Sequence, residues 1–128
     1  MTQENKELLL RDLCARVPYG VKCKLIYNNQ AIKDEDATLF GIDKYGSFLF
    51  AEFGEDTRKF VCKPYLFPLS SMTEEQRFEY HNVGLTEWGN ELYYDCAESF
   101  DWLNAHHFDY RGLIEKGLAI DATGKNIY

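Results

Sequence analysis

The feature that most constrains this chain is a change of hydrophobic period around Pro18-Tyr19-Gly20. Before that break, Leu10, Leu13, Cys14 and Val17, with Leu9 beside them, recur at the spacing of one helix face. After it, Val21, Cys23, Leu25 and Tyr27 alternate with Lys22 and Lys24, the two-residue repeat of a half-buried strand. Proline disfavours the α conformation in the residue before it, so the helix ends here and a sheet begins. Glu4 and Glu7 precede Arg11 and Arg16 along the helix, an order that complements its dipole.

Three more strands follow, at residues 37–43, 47–53 and 58–63. Asp43-Lys44-Tyr45-Gly46 and Gly54-Glu55-Asp56-Thr57 supply the turns between them. The last is expected to falter at Pro64, which cannot donate to a ladder. Residues 21–67 therefore read as an antiparallel meander, a small curved sheet or partial barrel. Phe48, Phe50 and Phe60 lie on one face and Leu49, Ala51 and Phe53 on the other. One of those faces must meet helices, because two exposed apolar faces would aggregate.

The second half turns helical. Thr73 and Gln76 form a capping box that starts a short helix at Glu74. Val83-Gly84-Leu85 and Trp88-Gly89-Asn90 interrupt the helical pattern. Asp95 and Glu98 offer a second box for a helix over residues 96–107, with Ala97, Phe100, Leu103 and His107 as its buried stripe and Trp102 at its flank. Asp109 caps a last helix over residues 110–116, ended by Gly117. Leu118 and Ile120 dock back on the body, and residues 123–126 fray. The fold class is α+β, with an N-terminal helix, a small antiparallel sheet and C-terminal helices. Residues 1–128 are expected to form one domain, and their 45% hydrophobic content is enough for a core.

No apolar run nears the roughly 18–20 residues that span a bilayer. The polar, acidic start of the chain lacks a signal-peptide pattern, so a cytoplasmic location is expected. Cys14, Cys23, Cys62 and Cys96 have no zinc-knuckle spacing and read as free, buried thiols. Residues 1–64 hold 10 acids and 10 bases, whereas residues 65–128 hold 11 acids and 4 bases. The second half thus carries the whole net charge of −7. Such a field repels phosphates; it serves solubility in the first place, and it could also suit a basic protein as partner.

The densest group of chemically versatile residues runs from Asp101 to Arg111. Trp102, His106, His107, Asp109, Tyr110 and Arg111 are the candidate binding residues. Neighbours on one helix point about 100° apart, so His106 and His107 are poorly placed to share a metal. The pattern with histidines four residues apart and a glutamate after the first is absent. Packing and capping are the expected roles of the pair. Asp109-Tyr110-Arg111 reads as a local cap with a salt bridge. No serine lies in a nucleophile elbow, no phosphate loop occurs, and no motif calls for a metal or a cofactor. Among the cysteines, Cys96 at a helix start is the best candidate for a reactive thiol. Lys22, Lys24, Lys59 and Lys63 could form a small anion-binding patch if the first and fourth strands are neighbours.

Three blocks carry a resemblance: residues 10–21 (from Leu10-Arg11-Asp12 through Val21), residues 63–73 (from Lys63-Pro64-Tyr65 through Thr73) and residues 101–119 (from Asp101-Trp102-Leu103 through Ala119). Together they resemble small uncharacterised proteins of gut Bacteroidetes and their prophages or mobile elements. That resemblance implies a bacterial cytoplasm and an accessory role for a mobile element, and it brings no activity or site residues. The helix-then-strands order also resembles SH3-like and Sm-like barrels in arrangement alone. The leading functional expectation is a non-catalytic protein that binds a partner through its acidic half, with Trp88, Trp102, Tyr93 and Tyr94 as aromatic anchors. Its competitors are an enzyme built on His106, His107 and Asp109, and a nucleic-acid binder built on Lys22, Lys24 and Lys63.

Overall fold

The computed structural model describes residues 2–27, 35–42, 48–50, 60–88, 91–94 and 96–128. Helix α1 (Gln3–Arg16) is capped by the Thr2 hydroxyl, which accepts from the Asn5 amide. A 3-10 turn (Val17–Tyr19) follows and closes on Gly20 at φ 65°, a left-handed conformation that glycine adopts without steric cost. The strands are β1 (Lys22–Tyr27), β2 (Glu35–Ile42), β3 (Phe48–Phe50) and β4 (Phe60–Pro68). Helix α2 (Glu74–Asn82) and the hairpin β5 (Leu85–Trp88) with β6 (Glu91–Tyr94) come next. Helix α3 (Cys96–Ala105) and two short strands, β7 (Phe108–Asp109) and β8 (Ile120–Asp121), complete the chain.

The α+β class holds, but the strand order is not a meander. It runs β3-β2-β1-β4-β7, so the fourth strand returns beside the first in a Greek-key arrangement. This places β1 between two ladders and seals its apolar face: Val21, Cys23 and Leu25 are fully buried. The sheet is mixed and open, not an antiparallel partial barrel, because β7 and β8 both run parallel to β4. Strand β4 does not stop at Pro64. Its pairing with β1 ends at the Cys23–Pro64 rung, and from Tyr65 onward it pairs with β8 and β7. The residue without an N–H thus falls where one ladder gives way to another. Phe48 packs against the main core, whereas the side chains of Phe50 and Phe60, both proposed turns, Ala51 and Phe53 lie outside the described residues.

Two apolar clusters result. The larger joins Leu9 and Leu13 of α1 to the inner sheet face and to Leu113, Leu118 and Ala119. The smaller gathers Trp102, Leu103 and Phe108, with Phe67, Met72, Tyr80, Val83 and Tyr110 against them. Cys23 and Cys62 are buried free thiols, and burial, followed by the neighbouring Cys62 thiol, pushes Cys23 well above its ordinary pKa. Cys14 and Cys96 are exposed, contrary to the expectation of four buried thiols. The buried face of α1 is also rotated from the expected one: Leu9, Asp12, Leu13 and Arg16 face inward, while Leu10 and Cys14 face out.

Asp12 and Arg16 are fully buried, and their bonds tie the two clusters together. Arg16 Nε donates to Asp12 Oδ2 at 2.8 Å, and Arg16 Nη2 donates to Asp12 Oδ1 at 3.1 Å and to the Phe108 carbonyl at 2.7 Å. Arg111 Nη1 adds a third bond to the same carboxylate, at 2.8 Å to Oδ1. One acid in the first helix thereby holds Arg16, which reaches strand β7, and Arg111 in the segment after that strand.

The end of the chain is more ordered than its composition suggests. Residues 110–116 form turns instead of a helix, but the expected signals operate. Asp109 accepts from the amides of Leu113 and Ile114, at 3.0 and 2.9 Å. The Leu118 amide bonds the Leu113 carbonyl and the Gly117 amide bonds the Ile114 carbonyl, the two bonds of a Schellman closure, with Gly117 at φ 74°. Residues 123–126 do not fray: Asp121 accepts from the Thr123 amide and hydroxyl, and Lys125 bonds back to Ala122. Tyr128 then returns to the sheet, where its hydroxyl accepts from the Lys22 amide at 2.9 Å and donates to the Tyr65 carbonyl at 2.8 Å. A side-chain hydroxyl thus bridges β1 and β4 just past their last rung. No helix among the described residues is long and apolar enough to cross a membrane.

Removing one partner of a buried ion pair strands the other, whereas replacing both with apolar groups does not. Asp12→Ala is therefore expected to lower unfolding free energy by about 3–5 kcal/mol. The double variant Asp12→Leu/Arg16→Met should lose markedly less. Urea titration followed by circular dichroism measures both, and equal losses would show that the pair acts only as separate packing groups.

Candidate functional site

The six sequence-predicted residues lie close in the chain but do not converge on one site. Trp102 is buried and stacks on His106 on one side (ring centroids 4.0 Å apart) and Phe108 on another (5.7 Å). His106 also bonds through Nδ1 to the Trp102 carbonyl at 2.8 Å. His107 turns away, at φ 63°, and its ring lies flat on Tyr128 at 3.6 Å. The two histidines therefore have different partners, but not through helix geometry: α3 ends at Ala105, short of the expected residue 107, and the left-handed turn at His107 separates the rings. Asp109 is occupied by two backbone amides. Tyr110 donates to Asn104 Oδ1 at 2.9 Å and is flanked by Arg111 and Arg16 near its ring. Arg111 is held by Asp12. Each of the six thus has a structural role, and His106, His107 and Asp109 are engaged with different partners.

Helix α3 departs from its expected buried stripe. Trp102, Leu103 and Asn104 face inward, whereas Ala97 is exposed and Phe100 keeps 48% of its surface in solvent. The outward side carries Cys96, Ser99 and Phe100, spaced i, i+3, i+4 along one face. With Tyr80 and His81 of α2 they line an open cavity of about 300 Å³. Phe78, just before this pair on α2, is 74% exposed, and Leu85 just after α2 is exposed as well. Cys96, an exposed free cysteine, lies at this cavity beside Phe100.

The wall is braced from behind. Phe100 packs against the Tyr110 ring at 5.1 Å, Tyr110 is fixed by Asn104, and Tyr80 packs on Trp102 at 5.5 Å. Of the residues singled out from the sequence, Trp102 and Tyr110 therefore support the site without forming its surface. Apart from Cys96, sequence reasoning misses the cavity residues, because Phe100 reads as core in any periodicity count. The legible signal is the i, i+3, i+4 set beginning at Cys96. Trp88, Tyr93, Tyr94 and Asp95 have side chains outside the described residues, and so does the second capping box.

Charge is unevenly distributed along the chain that carries this cavity. Residues 74–105 contain eight carboxylates and one arginine, so this stretch accounts for the charge of the whole chain. Glu74, Glu75, Glu79, Glu98 and Asp101 are exposed on α2 and α3. The opposite tendency appears on the sheet, where Lys24 and Lys63 occupy one rung of the β1–β4 ladder. The expected adjacency of the lysines is thus met for Lys22, Lys24 and Lys63, while Lys59 lies outside the described residues. That patch is compromised as an anion site: Lys22 Nζ bonds the Ile127 carbonyl at 3.1 Å, and Asp36 sits opposite Lys24 on β2. Among the described residues no group of three or more His, Cys, Asp or Glu could hold a metal ion. Comparison with protein-family models, with curated proteins and with solved structures gives no match.

Burial, then the nearby Arg16, His106 and Lys22, lowers the His107 pKa from 6.5 to about 4. The native state thus resists the proton that an unfolded histidine accepts. Stability is full above pH 6.5 and declines as pH falls from 6.5 towards 4. The loss should be on the order of 2–3 kcal/mol. His107→Asn, which tolerates positive φ and does not titrate, should flatten the thermal-midpoint profile across that window. An unchanged slope in the variant would assign the acid sensitivity to other groups.

Proposed function

We propose that the protein is a non-catalytic binding protein that presents the face formed by α2 and α3 to a basic protein partner. The observation that carries this reading is the coincidence of exposed apolar side chains with the concentration of acid. Phe78, Leu85 and Phe100 are exposed in the same stretch that holds eight carboxylates and one arginine. Solvent-exposed aromatic residues grouped on one face mark interaction surfaces, and charge selects which surface can meet them. An enzymatic reading loses support because His106, His107 and Asp109 are engaged in stacking and capping. A nucleic-acid reading is disfavoured by the field of the helical half. An accessory role for a mobile element rests on the sequence resemblance alone.

A fluorescent synthetic peptide rich in Lys and Arg is the probe. At low salt it should bind with a micromolar Kd, and raising salt from about 50 to 300 mM should weaken it roughly ten-fold through screening. Glu74→Lys/Glu75→Lys/Asp101→Lys should abolish binding, whereas Lys22→Glu/Lys24→Glu should not weaken it. A basic peptide that binds no better than an acidic one, or a single-stranded oligonucleotide that binds in preference, would remove this reading.

A further inference from the structure

We infer that the cavity between α2 and α3 seats one aromatic side chain of the partner, carried on a segment with Lys or Arg on either side of it. This rests on the reading of the α2–α3 face as a partner surface and specifies what occupies it. The volume of about 300 Å³ is at the small end of ligand sites, the scale of one large side chain. Its walls are mainly rings: Phe100, Tyr80 and the His81 imidazole, with Ser99 and Cys96 completing the lining. An aromatic guest gains more from such walls than an aliphatic one, because offset and edge-to-face ring pairs add to simple area burial.

The walls are held in place before the guest arrives. Tyr80 is packed on Trp102 and Phe100 on Tyr110, and Tyr110 is fixed in turn by Asn104. A preformed receptor spends less free energy on ordering when it binds, which favours an anchor and pocket over a diffuse contact. The exposed acids of the same two helices supply the second half of the specificity. Glu79 on α2 and Glu98 and Asp101 on α3 are exposed on the two helices that line the cavity. An aromatic residue bracketed by bases matches both the pocket and the acids of the helices that form it.

A second copy of the chain fits poorly. A two-fold contact would set this acidic face against itself, and like charges opposed across an interface are costly. A heterologous contact would bring the Lys22, Lys24 and Lys63 rungs, where Asp36 intervenes and Lys22 is already bonded. The occupant is therefore a different protein.

The test uses two synthetic peptides with the same basic sequence, one with a central Trp and one with Ser in its place. The protein carries Cys14→Ser, which leaves Cys96 as the exposed thiol among the described residues. Anisotropy titration should show the Trp peptide binding about ten-fold tighter than the Ser peptide. Alkylation of Cys96 with N-ethylmaleimide should erase that difference, as should Phe100→Ser, with thermal midpoint and circular dichroism confirming an intact fold. If both peptides bind equally and Glu74→Lys/Glu75→Lys/Asp101→Lys abolishes both, the acidic surface stands and the aromatic anchor is refuted. If neither binds at low salt, the surface reading itself fails. Concentration-dependent self-association of the protein that competes with the Trp peptide would reassign the cavity to a second copy and overturn the inference.

Discussion

Two arginines share one buried carboxylate, and the geometry of the rest depends on that arrangement. Asp12 and Arg16 lie one turn apart on α1 and are completely enclosed, and Arg16 reaches out of its own helix to the Phe108 carbonyl. Burying these charges costs several kcal/mol per ion, offset by the mutual attraction and by further hydrogen bonds. The compensation is incomplete, since Arg16 Nη1 has no hydrogen-bond partner among the described residues. An apolar pair of similar volume could give comparable stability. What it could not do is specify direction. A guanidinium bonded to one carboxylate and one backbone carbonyl fixes both the roll of α1 and the path of the chain at Phe108.

That fixed path has consequences along the next few residues. The carbonyl of His107 accepts from Phe67 at 2.8 Å, and the carbonyl of Phe108 accepts from Arg16 at 2.7 Å. Meeting both partners requires a sharp exit from α3, and His107 supplies it by adopting positive φ, an uncommon state for a residue with a Cβ. The turn sends Tyr110 back along α3, where it meets Asn104 and braces Phe100. The interior polar cluster and the surface cavity are therefore connected by a short chain of contacts. Trp102 faces the small core and Phe100 faces solvent because residues 107–110 set the orientation of the helix.

Local signals in the sequence are legible, and long-range ones are not. The Thr73–Gln76 box appears with both of its hydrogen bonds, Gly20 and Gly117 close the turns assigned to them, and the alternation at Val21–Leu25 buries the side expected. Each of these depends on a few adjacent residues. A periodicity count misreads the face of α1 because its inward stripe contains an acid and a base, which such a count assigns to water. Yet Leu9, Asp12, Leu13 and Arg16 form a regular i, i+3, i+4, i+7 set, and the charges are spaced to pair within it. The strand order is hidden for a different reason. Hairpin turns suggest that neighbours in sequence pair in space, but β4 satisfies β1, whose second edge would otherwise be open. For α3 the inner and outer aromatics are two residues apart, and only the Trp102 stacks distinguish them.

The surface chemistry divides along the same lines as the fold. The sheet half is electrically balanced, whereas the helical half keeps large apolar groups in solvent within a net acidic field. These two properties act on different stages of an encounter. Field strength over the surface sets how often an oppositely charged partner arrives correctly oriented, and it weakens with salt. The apolar contact governs how long that partner stays, because residence depends on desolvated packing at the centre. The acids also prevent the exposed rings from meeting their own kind, since like-charged surfaces repel before short-range attraction begins. A protein arranged in this way can keep Phe78 and Phe100 in water while alone. Under the proposed function, it yields them to a surface that first neutralises the acids of α2 and α3.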